Sequence, residues 1–181
     1  MKRKYYRITM NAYERRIGTL YAPEEADIDL VRDAKPVLGW QNLIFTLRNG
    51  LYAPYHMADI GANLVNEELK SVIEEFITPN YPIEFLPVKA ISDEYGEKQY
   101  YIMHFKIIFD VLDLDNSVYH YYDDGTKSIV KSCLDLKKVN DLNIFNSLPA
   151  INDIIVSDRL RKVIIKRNLN FGFVFSELKC V

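Results

Sequence analysis

Apolar positions recur along this chain in two rhythms, one helical and one alternating. Leu69, Val72, Ile73, Phe76 and Ile77 stand at i, i+3, i+4, i+7 and i+8, which lays a single apolar stripe along a helix. Leu160, Val163 and Ile164 repeat the start of that stripe 91 residues later. The repetition is wider than the stripe. Val65-Asn66-Glu67-Glu68-Leu69-Lys70-Ser71-Val72-Ile73 returns, matched in chemical type at all but two positions, as Val156-Ser157-Asp158-Arg159-Leu160-Arg161-Lys162-Val163-Ile164. In each copy an apolar residue is followed by a small polar side chain able to accept a backbone N–H, and then by an acid that complements the helix dipole. This pattern predicts an extended segment running into a capped helix. A strand-like phrase follows each time, Ile83-Glu84-Phe85-Leu86 and then Phe171-Gly172-Phe173-Val174-Phe175. The pair predicts two strand–helix–strand half-units on one core.

The alternating rhythm supplies the other strands. Tyr5 to Met10 is rich in strand formers and predicts a first strand. Residues 11–40 show no sustained period and contain Pro23, Pro36 and Gly39, which predicts irregular structure with at most a short helical turn. Arg48-Asn49-Gly50 between Leu43–Leu47 and Leu51–Tyr55 carries the Asn-Gly signal of a hairpin. Thr78-Pro79 is expected to stop the first helix. Ile83–Ala90 and Lys98–Ile108 read as antiparallel strands joined through Gly96, with Tyr101, Met103, Phe105 and Ile107 on one face and Tyr100, Ile102, His104, Lys106 and Ile108 on the other. Asp123-Asp124-Gly125 turns Val118–Tyr122 back onto Ser128–Leu134 in a further hairpin. A loop-rich stretch with Phe145 and Pro149 then leads to the second copy, read as a strand at Ile154–Val156, a helix from Asp158 to about Arg167 and a closing strand at Phe171–Phe175. The expected class is α+β, with predominantly antiparallel sheet and two main amphipathic helices from an internal strand-helix-strand pseudo-repeat.

Composition narrows the function. At 181 residues with 49% hydrophobic content, the chain suits one domain with an ample core. A net charge of −2 argues against broad attraction to nucleic acid or anionic membrane. Basic Met1-Lys2-Arg3-Lys4 leads into Tyr5-Tyr6-Arg7 instead of an apolar leader, and no run of 18 apolar residues occurs, so the reading is a cytoplasmic protein with no membrane partner. Cys133 and Cys180 are isolated, which fits reduced thiols, although their pairing stays open at this level.

Catalytic patterns are mostly absent. His56, His104 and His120 have no zinc-ligand spacing, and the seven glycines form no phosphate loop, so no cofactor or metal is expected. Ser157 fits an N-cap better than a nucleophile, since Asn66 takes its place in the first copy. Two surface candidates remain. Arg159, Arg161, Lys162, Lys166 and Arg167 on the second helix could form a nucleic-acid patch at residues 158–167, or simply a solvated face. The stretch 110–124 crowds Asp113, Asp115, Tyr119, Tyr121, Tyr122, Asp123 and Asp124 together, and these are the candidate partner-binding residues. Tyrosine supplies anchoring area and aspartate steers a basic protein, although Asp is also an ordinary turn residue. Alternation allows only one of the pairs Tyr119/Tyr121 and His120/Tyr122 to serve, leaving the other for the core.

The order Leu64-Val65-Asn66-Glu67-Glu68-Leu69, Ile83-Glu84-Phe85-Leu86-Pro87-Val88, Tyr100-Tyr101-Ile102-Met103, Asp110-Val111-Leu112-Asp113 with Ser117, Ile144-Phe145, Ile154-Ile155-Val156-Ser157-Asp158-Arg159-Leu160 and Phe171-Gly172-Phe173 resembles a family of bacterial immunity proteins from polymorphic toxin systems. The resemblance spans about residues 55–175 and implies a cytosolic, non-enzymatic protein that binds and blocks a cognate toxin. It divides the single domain 1–181 into a divergent part, 1–55, and an immunity-like core, 56–181. The N-terminal third departs most, and Phe171 stands where the family has a small residue. The competing readings are a small enzyme with a site assembled from scattered residues and a nucleic-acid module using the basic helix.

Overall fold

The computed structural model describes residues 3–11, 13–26, 34, 37–79, 81–139, 141–148 and 153–181. Of the stretch 11–40, residues 12, 27–33, 35 and 36 lie outside this set, as does Pro149; the described remainder forms no helix and carries one short strand. The molecule is α+β and mostly β, and its two long sheets are built around the repeated phrase. In the first copy β5 (Asn63–Asn66) runs into α1 (Glu67–Glu74), which returns as β6 (Ile83–Ser92). In the second, β12 (Ile154–Ser157) runs into α3 (Asp158–Lys166) and returns as β13 (Phe173–Glu177).

Both copies are split. β7 (Gly96–Phe105) lies between β5 and β6 and is antiparallel to each, so Val65, Tyr101 and Pro87 form one cross-strand row. In the second copy the middle place is taken by β1 (Tyr5–Met10), and the matching row is Val156, Tyr6 and Glu177. The half-units expected from the sequence are therefore present, each with a third strand threaded through its centre.

The helices form as their sequences dictate. Asn66 accepts the Leu69 N–H at 2.9 Å and Ser157 the Leu160 N–H at 3.2 Å, satisfying one orphan donor at each helix start. Leu69 and Leu160 are fully buried, as are Ile73 and Ile164, in one core that joins both helices to Val65, Met103, Val156 and Phe173. α1 stops at Glu74, earlier than the stripe suggests, and Phe76 enters the core from the turn that follows.

The outer face of each sheet has a core of its own. The six-stranded sheet runs β2 (Thr19–Tyr21), β3 (Ile44–Arg48), β6, β7, β5, β4 (Tyr55–Met57) and curls until its edges meet, the Asp59 N–H donating to the Leu20 carbonyl at 3.1 Å. This nearly closed barrel encloses Leu20, Phe45, Leu64, Val88 and Ile102. The four-stranded sheet, β11 (Ile144–Phe145), β12, β1, β13, faces instead Val111, Leu134, Val139 and Leu142. These come from an excursion that carries the hairpin of β8 (Val118–Tyr121) and β9 (Lys127–Lys131), then β10 (Cys133–Leu134) and the single-turn α2 (Leu136–Val139). β14 (Lys179–Cys180) pairs with β10. The ladders are antiparallel except β3 with β6 and β10 with β14.

One expected hairpin does not form. Asn49-Gly50 does not fold Leu51–Tyr55 back onto β3, because both edges of that strand are already paired, with β2 and β6. The turn instead drops the chain against residues 16–18: Leu51 N–H donates to the Arg16 carbonyl at 2.6 Å and Gly18 N–H to the Leu51 carbonyl at 3.0 Å. Asn49 and Gly50 both take positive φ here, and a Cβ on Gly50 would sit 2.5 Å from the Arg16 oxygen. The β6–β7 hairpin forms as expected with longer first and shorter second arms, leaving Lys106 to Ile108 outside the strand.

Candidate functional site

The β8–β9 hairpin is built by local turn chemistry and attached to the body by little else. Gly125 at φ +82° closes its tip, and the Asp124 carboxylate accepts the Thr126 N–H at 2.9 Å and its hydroxyl at 2.7 Å, which holds that carboxyl below its ordinary range. Asp113 does equivalent work at the base. It accepts from the Asn116 side chain at 2.8 Å and its N–H at 3.0 Å, and those bonds lower its pKa too. Ser117 ties the base to the body by donating to the Asp113 carbonyl at 2.7 Å and accepting the Cys133 N–H at 3.0 Å.

The seven residues singled out from sequence thus separate. Asp113 and Asp124 are committed to turns. Asp115 and Asp123 are exposed. Tyr121 and Tyr122 are 67% and 50% exposed, while Tyr119 is half-buried on the face shared with Ile129. Neither alternating pair belongs to the core, contrary to expectation. A two-stranded ribbon has two faces and only one neighbour, so Tyr119 leans inward while His120 and Tyr122 stack edge-on at 4.8 Å over the outer face. Leu114, Val118 and Val130 are each about half exposed and add an apolar rim. Sequence reading missed these three because isolated apolar residues in a strand look like core.

The other candidates lose force on inspection of their partners. On α3, Lys162 pairs with Asp158 at 2.6 Å and Arg161 with Asp158 at 3.3 Å, Arg167 at its C-cap pairs with Glu75 at the C-cap of α1 at 2.8 Å, and the Arg159 guanidinium lies 5.2 Å above the Phe76 ring. A helix whose cations are largely engaged offers little to phosphate. Ser157 caps α3 and donates to the Asn143 side chain at 2.9 Å. His56 and His104 are buried within the barrel sheet, and His120 sits on the hairpin. His56 Nε2 accepts the Ala53 N–H at 2.9 Å, and burial lowers its pKa to about 4 although a backbone contact with Gly18 pulls the other way. Among the described residues no three His, Cys, Asp or Glu side chains gather as a metal site, and no helix is long and apolar enough to cross a membrane.

The β8–β9 ribbon thus presents an acidic, tyrosine-bearing surface. Comparison with curated proteins returned no match. The model of an immunity protein family, Imm11, matches residues 35–179, extending the resemblance of the 55–175 region in both directions. This chain belongs to that family of immunity proteins of toxin systems and is not an enzyme.

Proposed function

We propose that this protein acts in the cytoplasm by binding its cognate toxin directly and occluding it, and that the β8–β9 hairpin is the surface that meets the toxin. The observation that carries the reading is the exposure of Tyr121 and Tyr122 on a ribbon that contributes little more than Ile129 to any core. Exposed aromatic side chains are what anchors an interface, because they bury large area at small entropic cost. Asp115 and Asp123, both exposed, add long-range attraction toward a basic toxin surface.

The test is the rate of association. The toxin domain encoded beside this gene, immobilised for surface plasmon resonance, should capture Asp123→Lys severalfold more slowly than the parent at low salt, with a flatter salt dependence. An unchanged rate at low salt would exclude steering by this tip. Lost protection with wild-type association would instead point to a toxin-facing surface elsewhere.

A further inference from the structure

The resemblance between the two copies reaches well past the helices. β4 pairs with β5 through Tyr55–Val65 and His56–Leu64, and β11 pairs with β12 through Ile144–Val156 and Phe145–Ile155, the same register moved along the chain. β3 runs parallel to β6 through Ile44–Lys89 and Phe45–Ala90, and β10 runs parallel to β14 through Cys133–Lys179 and Leu134–Cys180. β2 is antiparallel to β3. Its counterpart is the segment 109–113, which bridges Leu112 to Leu134 antiparallel and then reaches back to Ser147, as β2 reaches Asp59. The second copy thus sets the segments 109–113, β10, β14 with β13, β1, β12 and β11 in the order of the first copy's β2, β3, β6, β7, β5 and β4, with one helix in each, although only the first is one continuous six-stranded sheet.

Side chains follow the backbone. Lys70 lies 4.9 Å from the Tyr101 ring centre and 5.6 Å from that of Phe85, and bonds Glu67 at 3.4 Å. Arg161 lies 4.5 Å from Tyr6 and 5.8 Å from Phe175, and bonds Asp158 at 3.3 Å. Tyr100 donates to the Ala53 carbonyl at 2.6 Å, and Tyr5 to the Leu142 carbonyl at 3.2 Å. A cleft at the start of α1, lined by Ala53, Pro54, Asn66, Glu67 and Tyr100, recurs at the start of α3, lined by Leu142, Asn143, Ser157, Asp158 and Tyr5.

Connectivity breaks the symmetry at one point. In the first copy the central strand β7 follows β6 through the turn Asp93-Glu94-Tyr95. In the second copy the central strand is β1, which precedes the whole first copy. We infer that the chain is a permuted duplication: two copies of one unit, with the last strand of the second carried at the N-terminal side as a strap that closes it. Tyr5-Tyr6 are then the counterparts of Tyr100-Tyr101, and the chain divides in structure after Phe105, with the two copies sharing the core between their helices.

The first copy specifies the test, because its own turn shows how the strap should be reconnected. A circular permutant starts at Tyr13, runs to Val181, continues through a copied Ser-Asp-Glu-Tyr turn and ends with residues 1–12. It should keep the parent's circular dichroism spectrum and a urea midpoint within about 0.5 M, and still protect cells from the neighbouring toxin. A permutant that is soluble but has lost cooperative unfolding would overturn the inference. Hydrogen exchange on the unpermuted chain covers the case in which the permutant fails to fold. Amides of β1 should exchange at the same slow rate as those of β12 and β13, slowed at least a hundredfold relative to the β8–β9 hairpin. Exchange of β1 ahead of its neighbours would show it to be an accessory strand, and the inference would fall.

Discussion

The two copies differ most in what joins their first two strands. In the first, the described parts of the connection between β2 and β3 lie down on the barrel: Ala22, Val37, Trp40 and Leu43 pack on its core, and the Trp40 indole donates to the Pro87 carbonyl at 2.9 Å. In the second, the corresponding connection rises as the β8–β9 hairpin, with Tyr121, Tyr122, Asp115 and Asp123 in solvent. One frame has been finished in two ways, one that closes a core and one that presents a surface. Parts held in common answer to folding, and the part that differs without serving a core is where function should be sought.

The heaviest blow to this comparison would come from the shared core. Leu69→Ala and Leu160→Ala should each cost about 2 to 5 kcal/mol in urea melts, because both side chains are fully enclosed in the same cluster. A loss below about 0.5 kcal/mol for either would make the two helices unequal and the frame illusory.

Acid should separate the halves next. His56 and Phe145 occupy matching places beside β5 and β12, but only the histidine titrates. Its folded pKa, about 4, lies below the ordinary 6.5, so between those values the unfolded chain binds more protons and stability rises with pH. At 1.36 kcal/mol per unit the loss on going from pH 7 to pH 4 is roughly 3 kcal/mol. His56→Phe should show a shallower slope over that window in urea midpoints, and an unchanged slope would assign the acid sensitivity to other groups.

The connections themselves give smaller effects of opposite kind. Trp40→Ala should cost about 2 kcal/mol of stability, since a half-buried indole loses both packing and its bond to Pro87. It should leave toxin affinity alone. Tyr121→Ala/Tyr122→Ala should move stability by no more than about 0.5 kcal/mol, as exposed substitutions do, yet weaken toxin binding at least tenfold. Calorimetric melts beside titration of the toxin would show whether the two variants exchange phenotypes.

Much of the frame was readable from residue order. Helices, caps, buried stripes and the alternating faces of β7 follow from local spacing, because each is decided within a few residues. Pairing was not readable. Asn49-Gly50 has strong local turn chemistry, yet β3 was claimed by β2 and β6, partners distant in the chain, and no local signal reports that competition. The placing of β1 between β12 and β13 was equally hidden, since Tyr5–Met10 reads as a strand without saying whose. The hairpin was legible as a hairpin. The division of its acids between turn and solvent required the hydrogen bonds of Asp113 and Asp124.

The position of β1 also sets a clock on protection. A strand made first but paired on both sides with segments beginning at Ile154 must wait while the ribosome adds more than 140 residues, roughly seven to thirty seconds at ordinary elongation rates. The first barrel has all of its strands by Phe105 and can settle during that interval, holding Tyr5 and Tyr6 exposed upstream. The second copy, and with it the frame that carries the β8–β9 hairpin, therefore closes only once β12 and β13 have been made.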